Sequence, residues 1–206
     1  MAECLSCRKV YLASRLTKKN LQTPRIAPVD RTSEDSTLAS LFEAIQSRGG
    51  GPFNIHRTIG HAPEILAAFL NFAQALRANA VCPRVDRELI ILRSAQLTGC
   101  EYVFSHHRGM GLAFGLTSEQ VDQLAQWKES PLFNTQQRAI LAYSEAMFGP
   151  ESIDDATFEN LSNFYKPREI MELTLTAAFY TGLGQFACAL DIQVDLDASD
   201  SQYERH

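Results

Sequence analysis

Apolar residues in this chain return every three or four positions from about residue 36 onward, and glycine, proline and small polar residues punctuate the series. That spacing is the repeat of a helix with one buried face. A half-buried strand would need alternation at every second position, which few segments offer. The fold class that follows is all-α. Ser36-Thr37 precede Leu38, Leu41, Phe42 and Ile45, and Gly49-Gly50-Gly51 closes that helix. Residues 54–60 read as a short connector. Pro63 stands where a first-turn proline belongs, ahead of Ile65, Leu66, Phe69, Leu70, Phe72 and Leu76. Arg84 to Leu97 forms a strongly apolar helix with Gly99 as its terminator, and a new helix runs from near Cys100 to Phe114, closed by Gly115. Thr117-Ser-Glu-Gln has the form of a capping box for a helix carrying Val121, Leu124 and Trp127. Asn134 caps a helix stopped by Gly149-Pro150, Asp154 opens a shorter piece through Leu161, and Lys166-Pro167 starts the last long helix.

A chain of 206 residues, 45% hydrophobic and 21% charged, suits one domain with tails. The division expected is an N-terminal arm over 1–34 (flexible or packed on the domain), a helical domain over 35–195 and a tail over 196–206. A net charge of −5 argues against a nucleic-acid partner, which would need a basic surface. Residues 1–30 alone carry +4, leaving −9 on the remainder. The basic start weakly matches an organelle-targeting segment, but a plain arm is the favoured reading. No apolar run approaches the ~20 residues of a membrane span, so no membrane partner is expected. Cys4, Cys7, Cys82, Cys100 and Cys188 are odd in number and scattered, which suits free thiols in a reducing compartment; cytoplasm is the default. Cys4-x-x-Cys7 lies in the arm with no second pair to complete a zinc site and reads as incidental.

The chemistry concentrates where Glu88, Cys100 and His107 interrupt apolar helices. Cys100 opens a helix, so unpaired backbone N–H groups near its sulfur would favour the thiolate. The alternative is that it serves as a small buried hydrophobe. His107 lies two turns further on the same face, offset by about 10 Å, so the two would line one pocket rather than touch. Glu88 shares a face with Leu92, Ala95 and Gly99. If that face is core, the carboxylate needs a partner, His107 or Cys100, and desolvation would raise its pKa towards the range useful for proton transfer. Otherwise it is a first-turn acid paired with Arg84 or Arg87. His106 and His107 cannot share a helix face, so at most one is central. No paired spacing of metal-ligand type occurs, and neither metal nor organic cofactor is expected. Asp86-Arg-Glu-Leu-Ile and Pro167-Arg-Glu-Ile-Met open two helices alike, through either duplication or the common placement of acids in a first turn.

Several stretches together resemble the carboxymuconolactone decarboxylase/AhpD-like superfamily: Arg87-Glu88-Leu-Ile-Ile-Leu-Arg, Leu97-Thr-Gly-Cys100-Glu-Tyr-Val-Phe-Ser-His-His107, Gly115-Leu-Thr-Ser-Glu-Gln-Val, His61-Ala-Pro-Glu-Ile-Leu and Pro167-Arg-Glu-Ile-Met-Glu-Leu. The resemblance covers about residues 35–195. It implies an all-helical fold assembled as a homo-oligomer, trimer or hexamer, with sites near subunit contacts. In the redox branch a glutamate precedes a Cys-x-x-Cys pair, and a histidine follows the first cysteine by seven positions. Glu88, Cys100 and His107 occupy those places, but Val103 replaces the second cysteine and Tyr102 stands where some peroxidase members carry histidine. The decarboxylase branch lacks the redox pair and uses acid/base groups near the same histidine, with Glu101 at its Glu-x5-His spacing.

The leading expectation is therefore a cofactor-free lyase or isomerase acting on a small carboxylated lactone, cyclic ketone or aromatic-derived acid. His107 would be the acid/base, Glu88 or Glu101 would orient it, and Cys100 would line the site. Arg93, Tyr102, His106 and Arg108 are the candidate substrate-binding residues. A thiol peroxidase or oxidoreductase using Cys100 alone is the alternative, and a non-catalytic oligomeric ligand-binding protein the third reading. The leading expectation assumes that the sulfur at residue 100 has no mate.

Overall fold

The computed structural model describes residues 23–48 and 50–195. Cys4-x-x-Cys7, most of the basic arm and the 196–206 tail lie outside the described residues. Within them the chain forms nine α-helices and one 3-10 turn, with no strand. In chain order these are α1 (Ser36–Gln46), α2 (Asn54–Ile59), α3 (Pro63–Ala78), α4 (Arg84–Thr98), α5 (Glu101–Ala113), α6 (Ser118–Asp122), α7 (Thr135–Phe148), α8 (Asp155–Ser162) and α9 (Pro167–Ala189). No helix among them is long and apolar enough to cross a membrane.

Local chemistry sets the boundaries. Gly99 adopts the left-handed conformation (φ 64°) that ends α4 and turns the chain directly into α5, whose N-cap is Cys100. Thr117 and Gln120 form the capping box of α6, but that helix is only five residues long and Leu124–Gln126 continue as a 3-10 turn rather than as one helix through Trp127. The stretch read as a connector, 54–60, is helix α2. It is too short for periodicity to reveal, and it is held from outside: His56 Nδ1 accepts the Phe53 N–H at 3.2 Å, and Ile55 and Thr58 are buried. Residues 23–34, part of the expected arm, lie against the domain. Arg25 pairs with Asp191 at 2.9 Å, and the Val29 carbonyl accepts from Arg57 at 2.7 Å.

Helix α4 is the hub, packing most extensively against α9, α5 and α7. It is enclosed on nearly every side, so Asp86, Arg87 and Glu88 are buried together with Leu89, Ile90, Ile91 and Leu92. Each fully buried Leu or Ile contributes roughly 1.5–3 kcal/mol. The buried charges must find partners within the fold. Asp86 accepts from Tyr165 at 2.8 Å and Gln136 at 3.0 Å, and Arg87 donates to the carbonyls of Cys82 and Leu76. The echo between the two Arg-Glu helix openings does not extend to their roles. Glu88 points into the core, whereas Glu169 caps its own helix by accepting the Lys166 N–H at 2.9 Å.

Candidate active site

Glu88 has no exposed surface, and both of its oxygens are occupied. Arg84, one turn earlier on α4, donates its Nε to Oε1 at 2.7 Å, while His107 Nδ1 on α5 stands 2.8 Å from Oε2. The Arg84 guanidinium also lies over the Phe114 ring, 5.2 Å from its centroid, and contacts the Met110 sulfur at 3.6 Å. Burial pushes the Glu88 carboxyl up, but the His107 contact and the Arg84 charge outweigh it, so the group sits below the ordinary glutamate value and is a carboxylate. The sequence-based expectation of a raised value fails because His107 first, and then Arg84, favour the charged form against burial.

Burial lowers the His107 pKa by more than the neighbouring carboxylate raises it, so the ring is neutral. An ionised carboxylate can only accept, which places the His107 proton on Nδ1 and a lone pair on Nε2. Among the described residues no hydrogen-bond partner stands at Nε2. Against this ring packs Tyr180 of α9, edge to face with centroids 4.6 Å apart. Burial and the Glu88 charge push its phenol up to about 12, so it keeps its proton. Sequence reasoning missed Tyr180, which stands among the threonines and apolar residues of α9 with no local pattern to signal its contact with His107.

Helix α9 runs antiparallel to α5, and its Tyr180–Gly184–Cys188 stripe faces the His107–Cys100 stripe. A Cβ built on Gly184 would lie 3.3 Å from Cys100 Cβ and 2.6 Å from Thr98 Oγ1, so glycine permits this close approach. One turn further along, the Cys188 thiol lies 3.8 Å from the Gly99 carbonyl oxygen, and its proximity pushes the Cys100 pKa up. Residue 100 therefore has a neighbouring sulfur, contrary to the sequence-based premise. Its thiol faces the Tyr102 and Val103 N–H groups without forming a capping bond. Those amides favour the thiolate, as the helix start suggests, but the Cys188 contact and burial outweigh them and push the thiol pKa up. Gly184→Ala is expected to cost about 1–3 kcal/mol through overpacking. Gly182→Ala, whose Cβ would meet nothing within 4 Å, should be neutral or stabilising. Urea denaturation of both variants checks the pair, and equal effects would rule out the tight approach at Gly184.

The remaining candidates lie elsewhere. His106 turns away from Glu88, with Nε2 3.2 Å from Asp195 Oδ2. Tyr102 donates to the same Asp195 oxygen at 2.8 Å and accepts the Ile55 N–H at 3.2 Å, while Asp195 Oδ1 accepts the Asn54 N–H at 2.8 Å. These residues fasten α2 and the 191–195 segment to α5. Glu101 is exposed, accepts from Ser105 at 2.9 Å and does not reach His107. Arg93 is ion-paired with Glu145 at 2.5 Å, an oxygen that also accepts from Trp127 at 2.7 Å. Arg108 is half-buried on the outer side of α5 and stands 3.9 Å from Asp122. Among the described residues no group of three or more His, Cys, Asp and Glu side chains is arranged to hold a metal.

Residues 63–159, which contain Glu88, Cys100 and His107, match the Carboxymuconolactone decarboxylase family. Over that span, just under half of its length, the chain is similar to the carboxymuconolactone decarboxylase family. The uncharacterized protein YnjA of Escherichia coli is 29% identical over 109 residues, a match covering 52% of this chain and 60% of YnjA. The chain thus spans less than two thirds of that relative. Among solved structures, the debrominase Bmp8 superposes with a TM-score of 0.71 at 23% identity, covering 84% of this chain and 93% of Bmp8. ATU0492 of Agrobacterium tumefaciens, an AhpD-type protein of unknown function, superposes with a TM-score of 0.63 at 23% identity, covering 68% and 96%. At these identities the structural likeness speaks for the all-helical fold.

Proposed function

We propose that this chain is a thiol-dependent oxidoreductase of the peroxidase type, in which Cys100 is the reacting sulfur and the Glu88–His107 pair moves its proton. The observation that carries this reading is the shared seam: Cys100 and His107 both line the contact of α5 with α9, at Gly184 and Tyr180. A neutral imidazole with an open Nε2 can receive a proton, and Glu88 fixes its tautomer and stabilises the cation formed. The substrate is a small molecule, and assembly into a homo-oligomer belongs to the proposal. Exposed apolar Ile65, Phe72, Met171 and Leu175 offer surface for such contacts.

A cofactor-free lyase or isomerase is the second reading, favoured by the open Nε2 of His107. It would need a cation for a substrate carboxylate. Arg84 is committed to Glu88, Arg93 to Glu145, and Arg108 stands 3.9 Å from Asp122, so the thiol reading stands first.

Peroxide consumption with a dithiol reductant tests the proposal. Cys100→Ser is expected to abolish turnover, and His107→Ala to reduce it by about 10²–10⁴, the usual contribution of a positioned acid/base. Turnover that survives Cys100→Ser would overturn the thiol reading. Loss on His107→Ala alone, with retained conversion of a carboxylated lactone, would move the assignment to the lyase.

A further inference from the structure

Cys188 lies on the last helix, outside the span that matches the family, and nothing in the spacing around Cys100 points to it. Yet the fold brings it against Cys100. Gly184 brings α9 close enough for contact with Cys100 Cβ, and Cys188 follows Gly184 by one helical turn. Cys188 Sγ approaches the carbonyl of Gly99, the residue before Cys100, at 3.8 Å, which places its sulfur beside the start of α5. Their exposure differs: Cys100 is 2% exposed, whereas Cys188 is half-buried. Val103 stands one turn after Cys100, where a second cysteine on the same helix would be needed.

We infer that Cys100 and Cys188 form a reversible redox dithiol, closing to a disulfide that ties the start of α5 to the end of α9. The inference takes its oxidant, a hydroperoxide, from the thiol reading above. The Cys100 sulfur attacks the distal oxygen of ROOH and the O–O bond breaks. This gives Cys100 sulfenic acid and ROH, the thiol proton passing to the departing alkoxide. The Cys188 sulfur then attacks the sulfenic sulfur; the S–O bond breaks, the S–S bond forms, and hydroxide leaves as water with the Cys188 proton. A dithiol reductant restores both thiols and is itself oxidised to its disulfide. Its point of entry is the Cys188 sulfur, the more accessible of the two, with Cys100 as the leaving thiol. Without Cys188 the sulfenic acid persists and is open to further oxidation to the sulfinic acid.

The sequence makes the disulfide easy to read. Trypsin releases Cys100 in the peptide 94–108 and Cys188 in 169–205, while Cys82 falls in 78–84. The full chain is oxidised with hydrogen peroxide or, in a second arm, with the thiol oxidant diamide, and is then digested under non-reducing conditions. The expected product is the 94–108/169–205 linked pair, reversed by a dithiol reductant and lost in Cys188→Ser. In that variant Cys100 should instead accumulate as sulfinic acid under peroxide. Oxidised wild-type protein carrying sulfinic acid at Cys100 and no linked pair in either arm would overturn the inference, since it depends on no variant. A linked pair under diamide without peroxide turnover keeps the dithiol and removes the peroxidase reading. Peroxide turnover without the link does the reverse.

Discussion

Glu88→Ala is expected to lower the unfolding free energy by about 3–5 kcal/mol, the range seen when one partner of a buried ion pair is removed. The substitution leaves the Arg84 guanidinium inside the core without its carboxylate, and the His107 N–H without an acceptor. Among the described residues the other partners of the Arg84 guanidinium are the Phe114 ring and the Met110 sulfur, and neither replaces a full negative charge. A domain of this kind has roughly 5–15 kcal/mol in all, so the variant should sit near the edge of folding. Urea denaturation followed by circular dichroism measures the loss directly. Glu88→Gln keeps the volume and separates stability from function. One end of its amide can accept from Arg84 or from His107, but the NH2 end must then face the other donor. If the NH2 faces His107, the ring proton moves from Nδ1 to Nε2 and the open lone pair disappears. Glu88→Gln is therefore expected to fold better than Glu88→Ala and still lose turnover. A Glu88→Ala variant as stable as wild type would show that this carboxylate does not hold the α4–α5 pair together.

The sequence already contained this pair, because its two halves lie on adjacent helices joined by a Gly99 turn, where face assignments propagate over short distances. Helix starts were legible for the same reason: Pro63, Asn134, Asp154 and Lys166-Pro167 act through local capping. The contributions of α9 were not legible. Tyr180 and Cys188 reach the site from 73 and 88 positions beyond His107 and Cys100, and no local pattern encodes how α9 lies across α5. The same limit explains why the other candidate residues stand apart from the Glu88–His107 pair. Glu101 has the right spacing to His107 but occupies the outer face of α5, where its neighbour is Ser105. Arg93 points to α7, where Glu145 takes its charge. His106 and Tyr102 were selected for proximity to the motif, but their partner is Asp195, at the far end of the described chain. Burial of a charge predicts that it has a partner; it does not say which element supplies it.

Acid should weaken this fold in two stages, the first of them through His56. Its Nδ1 accepts the Phe53 N–H, and its ring packs between Phe53 and Phe69, with centroids 5.8 and 6.4 Å away. Only a neutral imidazole can accept that bond. Burial first, then the Arg77 and His106 charges, push the His56 pKa down to about 4, with the Asp195 carboxylate opposing them. The folded value lies below the ordinary histidine value of about 6.5, so the unfolded chain binds more protons between the two. Stability is therefore complete above pH ~6.5 and declines as the pH falls towards ~4, by up to about 3 kcal/mol at the ~1.4 kcal/mol carried by each unit. The ring is only half-buried, and screening by water should bring this nearer 1–2 kcal/mol. His107, also lowered by burial, adds to the same stage. Glu88 defines the second stage. Its depressed folded pKa contributes stability that is present above the unfolded glutamate value of about 4.3 and lost as the pH falls through the folded one. Urea midpoints measured from pH 7.5 down to 4.5 should fall in wild type and fall much less in His56→Gln, whose side-chain oxygen can accept the Phe53 N–H without titrating. The loss is local to the start of α2, where the protonated ring no longer accepts the Phe53 N–H while Asn54 and Ile55 still hold Asp195 and Tyr102. An unchanged pH slope in His56→Gln would assign the first stage to His107 alone and leave α2 indifferent to acid.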